Sequence, residues 1–361
     1  MNSRMSAPRK EMPDPHLPED EFKARFRSQF IDPAFGALSD ELNLLAAAAW
    51  DAYANARKSP HTRKAGPRFA DPDYELSSEW LAAREAVLEA QAAHDDLRSP
   101  ARFLLINASC RSEHTCPGES SRSYRLLELA RRVIEAEPAV AVQLLDLSCL
   151  ASEYGRHIHP CKGCFSTAAA LCHWPCSCYP TYSLGQTQDR MNEIYPMWVA
   201  AHGVMIVTPV HWFHGSSPLT LLMDRLVCAD GGNPDPTRTH GKDAAAAKRI
   251  ELAGWEYPRA SEGAAVRVRG AWGCRGGRRR PARHLRLARV ARIDRGGPCR
   301  DPQSLHRLLA ALRHEPRRTG CRWAVQGEVR NAACSLLEAV RDLRQGKRSE
   351  AGAQLKAPRG K

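Results

Sequence analysis

The chain has no apolar run long enough to cross a membrane. A transmembrane helix needs about 18 or more consecutive apolar residues, and no stretch of the 361 residues reaches that length. The N-terminal MNSRMSAPRKEMPDPHLPED also lacks the apolar core of a secretory signal. These absences predict a cytoplasmic protein without a membrane partner, in which the 13 cysteines are thiols or ligands rather than disulfides.

The segment 261–322 lacks Lys, Phe, Tyr, Met and Asn altogether. It contains 17 Arg against 4 acidic residues, an excess equal to the formal net charge of +13 of the whole chain. One interpretation is an Arg-rich nucleic-acid-binding segment, because guanidinium groups neutralise phosphates. The other is a reading-frame shift in a G/C-rich gene, restored near Val325, since Arg, Gly, Ala and Pro have G/C-rich codons. We favour the frameshift, so nucleic acid is not the expected partner.

Two segments have the strand, loop and helix order of a parallel α/β sheet. The first runs from the apolar stretch Arg102–Ser109 to a helix over 121–137, and the second has the apolar run Val204–Val207, which Pro209 is expected to end. The loop 109–123 is rich in hydroxyl groups and leads into a helix N-terminus, which attracts anions. Without a Walker lysine, this loop suits a terminal monophosphate. The alternative is that Ser121 or Ser123 is only a helix N-cap.

The loop after the second strand combines aromatic rings with Ser and Gly, which suits a planar ligand. Residues 211–217 of this loop read HWFHGSS. The predicted ring contacts are Pro209, Val210, His211, Trp212 and Ser216. The predicted phosphate contacts are Ser109, Arg111, Ser121 and Ser123.

Residues 107–111 (NASCR), 123–127 (SYRLL), 208–212 (TPVHW), 217–218 (SP) and 223–225 (MDR) carry a resemblance. In this order they resemble the NAD(P)H-dependent FMN reductase branch of the flavodoxin-like family, over about residues 100–258. The resemblance implies a three-layer α/β sandwich with a parallel sheet of order 2-1-3-4-5 and FMN at the carboxyl ends of the strands. A nicotinamide nucleotide would stack on the flavin and pass it a hydride, for an unknown acceptor. Arg111 would contact the FMN phosphate or, alternatively, a phosphate of the nicotinamide nucleotide.

The resemblance has three further implications. Because the cofactor supplies the chemistry, no catalytic acid or base is expected. The family carries another sheet strand and a loop beside the flavin where this chain has residues 261–322, and neither is recognisable there. The frameshift hypothesis therefore predicts that this strand is lost and leaves the activity of this polypeptide open. Homo-oligomers whose subunits share a flavin site are also expected.

Five cysteines fall between residues 161 and 178, with the spacing C-x2-C-x7-C-x3-C-x-C. Close thiolates can hold a [4Fe–4S] cluster or zinc. The candidate metal ligands are Cys161, Cys164, Cys172 and Cys176. His157, His159 and His173 are candidate additional zinc ligands. The alternatives are free thiols or a redox dithiol at Cys161 and Cys164.

Four regions are expected along the chain. Residues 1–100 form a helical extension, with about 20 disordered residues followed by helices at Ser39–Arg57 and Ser78–Asp95 and a basic linker at 58–72. Residues 101–260 form the flavodoxin-like FMN domain, 261–324 the atypical Arg-rich segment, and 325–361 a last helix and tail. The predicted function is an NAD(P)H-dependent FMN oxidoreductase. The alternatives are an iron–sulfur electron-transfer flavoprotein and an Arg-rich nucleic-acid-binding protein.

Overall fold

The structure is a computed structural model that describes residues 17–55, 59, 61–179, 189–211, 214–254, 265–272 and 319–347. The helices of this part of the chain are α1 (Glu19–Arg27), α2 (Ser39–Ala54), α3 (Ser78–Asp95), α4 (Arg122–Glu135), α5 (Cys149–Ser152), α6 (Met191–Ala200), α7 (Ser217–Leu226), α8 (Ala244–Ala253) and α9 (Thr319–Arg344). The strands are β1 (Thr62–Lys64), β2 (Glu75–Ser77), β3 (Ala101–Asn107), β4 (Val140–Asp146), β5 (Gly203–His211), β6 (His214–Gly215) and β7 (Ala265–Trp272). Among these described helices, none is both long and apolar enough to span a membrane.

The chain divides into two compact units. The first comprises Met1–Arg84, Lys162–Asp189 and Gly232–Tyr257, and the second comprises Glu85–Cys161, Arg190–Gly231 and Pro258–Lys361. This division differs from the predicted boundaries, because 162–189 and 232–257 cluster with the N-terminal segment.

The second unit is built on a mostly parallel sheet, so the predicted mixed α/β class is confirmed. Its parallel strands have the order β4-β3-β5-β7, and β6 pairs with β5 in the antiparallel direction. This order corresponds to the first four positions of the predicted 2-1-3-4-5 arrangement. A fifth parallel strand does not occur among the described residues, so the full order and the three layers stay predictions.

The apolar segments of the central strands β3 and β5 are buried on both faces of the sheet. Phe103 and Leu105 of β3 pack with α4 and α9, while Leu104 and Ile106 face the other way and are also buried. A β-carbon on Gly203 would lie 2.8 Å from a methyl group of Val340 and 3.0 Å from the Phe103 ring. Glycine at the start of β5 therefore lets α9 approach the sheet closely.

Strand β5 does not end at Pro209, contrary to the prediction. The Val207 carbonyl accepts a hydrogen bond from Ala108 N–H, so the backbone N–H and C=O of Val207 are directed towards β3. The backbone of Pro209, two residues later, faces the same side. The pairing of β3 with β5 ends at Asn107 and Val207. Because β3 offers no partner beyond that point, the missing N–H of Pro209 breaks no pairing and β5 continues to His211.

The segment after residue 261 contributes a strand, which corrects a second expectation. β7 pairs in parallel with β5, from Gly203 opposite Ala265 to Val210 opposite Trp272. Alternating Val and Arg in AVRVRG supplies a β-compatible pattern within the Arg-rich sequence. Helix α9 likewise begins at Thr319, six residues before the region 325–361 in which the last helix was expected. Residues 273–318 lie outside the described residues, so the frameshift stays a hypothesis.

The first unit contains α2, which agrees with the predicted helix that starts at Ser39, and the part of α3 up to Arg84; α1, β1 and β2 were not predicted. Glu19 and Asp20 begin α1, and residues 1–16 lie outside the described part, so the disorder expected for about the first 20 residues stays a prediction. The predicted basic linker contains β1, which pairs antiparallel with β2. Trp80 is buried and its Nε1–H donates to the Pro175 carbonyl at 2.7 Å.

Candidate functional site

The carboxyl ends of β4, β3 and β5 meet at one edge of the second unit. β4 and β5 lie on opposite sides of β3, so the chain crosses from one side of β3 to the other between these strands. In open parallel sheets, this reversal leaves a crevice outside the carboxyl ends of the strands. The loop after β3 (residues 108–121) begins there, and β5 ends there at His211; of the segment that follows β5, the structure describes His214 onwards.

Asn107, the last residue of β3, connects the polar groups at this edge. Its Nδ2 donates to Asp146 Oδ1 at 2.8 Å, and its Oδ1 accepts from Ser109 N–H at 3.3 Å. Asp146 Oδ1 also accepts from Ser148 N–H at 2.9 Å. Because Asn107 is fully buried, these bonds fix the starting direction of the loop after β3 relative to the end of β4.

Residues 109–123, here named the hydroxyl loop, are held by short-range bonds to serine and threonine. Ser109 Oγ accepts from Arg111 N–H at 3.1 Å, and Ser112 Oγ accepts from His114 N–H at 3.2 Å. The Thr115 hydroxyl accepts from Ser112 N–H at 3.0 Å and donates to the Ser112 carbonyl at 2.8 Å. The conformation of the loop is therefore fixed by hydrogen bonds to its own side chains.

The hydroxyl loop ends at the N-terminus of α4. Ser121 is the N-cap, since its Oγ accepts from Tyr124 N–H at 3.0 Å. A hydroxyl that accepts one bond keeps its own proton for donation, so capping does not prevent Ser121 from binding an anion. The N–H groups of Arg122 and Ser123 have no acceptor within the helix, because they belong to its first turn. That turn contains no acidic residue.

Arg111 lies on the exposed side of the hydroxyl loop. Its guanidinium donates to Glu119 Oε2 at 3.1 Å, and the two side chains are 44% and 68% exposed. Such an exposed pair contributes about 0–1 kcal/mol and exchanges partners easily. Of the four predicted phosphate contacts, Ser109 and Ser123 are buried, Ser121 is half-buried, and Arg111 is exposed and paired with a carboxylate.

The loop after β5 is anchored by a serine that sequence reasoning assigned to the ring. Ser216 is fully buried, donates its hydroxyl to the Ala108 carbonyl and accepts from Leu219 N–H at 3.4 Å as the N-cap of α7. It therefore joins the loops that follow β5 and β3. Pro209 and Val210 are half-buried and His211 is exposed, whereas Trp212 falls outside the described residues. A ring contact from Trp212 stays a prediction.

The donors at this edge fit a phosphate monoester. Hydroxyl groups, the N–H groups of a helix start and the positive end of the helix dipole all favour an oxyanion. The hydroxyl loop contains no lysine that would mark a triphosphate site. Residues of this edge could thus hold the phosphate of FMN beside the crevice.

Residues 101–251 match the family model of the NADPH-dependent FMN reductases. The match covers all but the last strand of the sheet, and at the level of the family it supports a flavin-dependent NAD(P)H oxidoreductase. The description of the family implies FMN and a nicotinamide nucleotide. Neither a curated protein nor a solved structure matches the chain.

The candidate metal ligands are not assembled into a metal site. Within the described residues, no group of three or more His, Cys, Asp and Glu side chains is placed to hold a metal ion. Cys161 is exposed, while Cys164 Sγ lies 3.3 Å from Cys178 Sγ, a residue outside the predicted ligand set. The buried His173 contacts Ser177 Oγ and Thr239 Oγ1 through its two ring nitrogens. The structure thus gives no support to a cluster at Cys161, Cys164, Cys172 and Cys176.

Sequence reasoning missed two features of these sites. Asn107 was part of a motif, but nothing in the sequence showed that its amide would join β3 to Asp146. The polar residue that directly follows an apolar strand was the usable signal, because the ends of parallel strands share one edge. Lys242, whose Nζ faces Cys164 and Cys178, stands in the turn GKD and carried no sequence signal.

Proposed function

We propose that the chain binds FMN without a covalent bond and acts as an NAD(P)H-dependent flavin oxidoreductase. The family match supports the class of reaction. The observation that carries the proposal for this chain is the hydroxyl loop, which leads from the carboxyl end of β3 into a helix N-terminus without an acid in its first turn. An oxyanion at that position is favoured by the dipole and by the unpaired N–H groups.

The proposed division of roles follows the two loops. Ser121 and Ser123, with the N–H groups of the first turn of α4, bind the phosphate, and Ser109 and Arg111 complete that side. Pro209, Val210, His211 and Trp212 form the wall for the ring, and Ser216 holds this wall against the loop after β3 through the Ala108 carbonyl. When bound, FMN supplies the hydride and electron transfer. The protein residues bind and orient the reactants, and no side chain is assigned as a proton donor or acceptor.

Flavin binding to the purified chain tests the proposal directly. We expect FMN to be bound with quenched fluorescence, and riboflavin, which lacks the phosphate, to bind at least about tenfold more weakly, the effect of about 1.4 kcal/mol. Oxidation of NADPH should then depend on added FMN. Equal affinities for FMN and riboflavin would contradict the phosphate assignment, and the absence of any flavin binding would contradict the function.

The same measurement tests the frameshift hypothesis for residues 261–322. A version in which this segment is translated in the alternative frame serves as the comparison for the chain as printed. Flavin binding by both versions would show that the Arg-rich segment does not remove the flavin site. Binding by the alternative-frame version alone would support a frameshifted and inactive polypeptide.

A further inference from the structure

A thiol cluster in the first unit consists of Cys164, Cys178 and Lys242. Cys164 opens a short 3-10 turn, Cys164–Ser166, and Lys242 directly precedes Asp243, the N-cap of α8. Cys164 Sγ and Cys178 Sγ are 3.3 Å apart. The two sulfur atoms are 14 residues apart in sequence, so the fold and not the local chain brings them together.

The ammonium of Lys242 faces both thiols. Nζ can donate three hydrogen bonds, and three acceptors surround it: the Leu171 carbonyl oxygen at 2.8 Å, Cys164 Sγ at 3.7 Å and Cys178 Sγ at 3.8 Å. Lys242 is half-buried, and a cation withdrawn from water is stabilised by a nearby anion. In the thiol cluster, a cysteine thiolate is the anion that the protein itself supplies.

The electrostatic balance of the cluster favours one thiolate. The hydrogen bond from Cys178 is the main cause that lowers the pKa of Cys164 to about 6, and the charge of Lys242 adds to it against the opposing effects of burial and of Cys176 and Cys172. Burial alone would lower the pKa of Lys242, but the surrounding thiols, led by Cys178 and Cys164, raise it. Both shifts have the direction expected for a thiol and an ammonium held close together, and the distances of 3.7 and 3.8 Å from Nζ to the two sulfur atoms supply that proximity.

We propose that Cys164 and Cys178 are a redox-active dithiol that undergoes exchange with low-molecular-weight disulfides. Cys164 is the nucleophile, because it is half-exposed, whereas Cys178 is buried and resolves the intermediate. This proposal concerns a site other than the flavin crevice and does not depend on flavin binding.

The exchange consists of two substitutions at sulfur. The Cys164 thiolate attacks one sulfur of the small disulfide, whose S–S bond breaks and releases one thiolate. Cys178 then attacks Cys164 Sγ of the mixed disulfide, its proton passes to the departing group, and a second small thiol leaves. The protein dithiol is thereby oxidised by two electrons, and one small disulfide is reduced to two thiols. Lys242 stabilises the thiolate that begins the reaction.

Oxidised glutathione is the probe for the test. The full chain is reduced, freed of reductant, treated with oxidised glutathione in buffer containing a zinc chelator, blocked by alkylation and digested. Trypsin leaves all four cysteines from 164 to 178 in one fragment, 163–190, because no Lys or Arg lies between them. Chymotrypsin can cut after Phe165 and Leu171, so a disulfide between Cys164 and Cys178 appears as two fragments joined by one bond. Because Cys172, Cys176 and Cys178 stay together in the second fragment, the two of them that carry the alkyl label identify the third as the partner of Cys164.

We expect joined fragments in the unmodified chain, in a proportion set by the ratio of oxidised to reduced glutathione. Cys178→Ser should abolish the joined fragments and trap glutathione on Cys164. Cys334→Ser, a change at an exposed cysteine, is the matched control and should leave the joined fragments unchanged.

Three results would overturn the proposal. One is that both thiols stay open to alkylation in excess oxidised glutathione. Another is that Cys164 becomes joined to Cys172 or Cys176 instead of Cys178. The third is that the purified chain carries one zinc ion that protects Cys164 and Cys178 until acid removes it, since the thiols would then be ligands.

Discussion

The hydroxyl loop and the thiol cluster both place positive charge beside polar side chains, but they balance it in different ways. At the start of α4, the positive end of the dipole faces hydroxyl groups that carry no charge, and the first turn has no acid. At Lys242, two thiols lie within 3.8 Å of the ammonium, and one of them can ionise. A positive site without an internal anion indicates an external anionic ligand. A positive site with an ionisable thiol indicates chemistry of that thiol.

An acid placed at the start of α4 should have the largest effect, because it would supply the anion that the first turn of this helix lacks. Arg122 is exposed and is the first residue of α4. We expect Arg122→Glu to weaken FMN binding about tenfold by repelling the phosphate, while it stabilises the helix by about 0.3–1 kcal/mol. Fluorescence titration gives the first quantity, and thermal unfolding without flavin gives the second.

Arg132→Glu is the matched control for this change. It makes the same change of charge in the last turn of α4, where the dipole favours a cation. We expect lower helix stability and unaltered FMN affinity. If both variants weaken FMN binding equally, net charge and not the helix N-terminus governs binding.

Removal of the Lys242 charge should have the next largest effect, on the ionisation of Cys164 in the thiol cluster. Lys242→Gln keeps a donor for the Leu171 carbonyl but removes the charge. The Cys164 thiolate predominates above pH 6 and is lost as the pH falls through about 6. Without Lys242 the pKa of Cys164 should rise, so alkylation of Cys164 at pH 6 should slow about fivefold, which a shift of roughly one pKa unit produces.

Alkylation rates measured from pH 5 to 9 check this prediction, with Cys334 as the internal reference. The midpoint for Cys164 should move upward in Lys242→Gln, and the rates should converge at high pH, where both forms are thiolates. An unchanged midpoint would mean that Cys178 alone sets the ionisation of Cys164.

Much of the fold was predictable because periodicity and capping are local properties. The predicted helix Ser78–Asp95 agrees with α3, and the predicted helix over 121–137 agrees with α4 to within two residues at each end. The wrong predictions depend on neighbours in space. The continuation of β5 past Pro209 depends on where β3 ends, and β7 is a strand because β5 offers it an edge.

The candidate sites were predictable only in part, for a similar reason. Hydroxyl enrichment before a helix marked the hydroxyl loop, and Ser121 as a cap followed from its position. Cysteine spacing could not show that Cys164 faces Cys178 and not Cys161, because two turns and a distant lysine determine that geometry. Likewise, the hydrogen bond from the Ser216 hydroxyl to the Ala108 carbonyl depends on the pairing of β3 with β5.

Loss of the Ser121 hydroxyl should have a smaller effect than an added acid. Ser121→Ala removes the cap of Tyr124 N–H and one donor to phosphate, so we expect FMN affinity to fall about threefold to fivefold, and stability to fall by about 1 kcal/mol. Riboflavin affinity should not change. Asp243→Ala, which removes the cap of α8, should cost similar stability without altering either affinity.

The smallest expected effect concerns Arg111, whose charge is already balanced by Glu119. Because both side chains are exposed, Arg111→Gln should weaken FMN binding by no more than about twofold. A tenfold loss in the same titration would show that Arg111 leaves Glu119 for the phosphate when FMN binds. A higher KM for NADPH with an unchanged KM for NADH would instead assign Arg111 to the additional phosphate of the nicotinamide nucleotide. The variant thus distinguishes a phosphate held by the N-terminus of α4 from one held by the exposed side chain of Arg111.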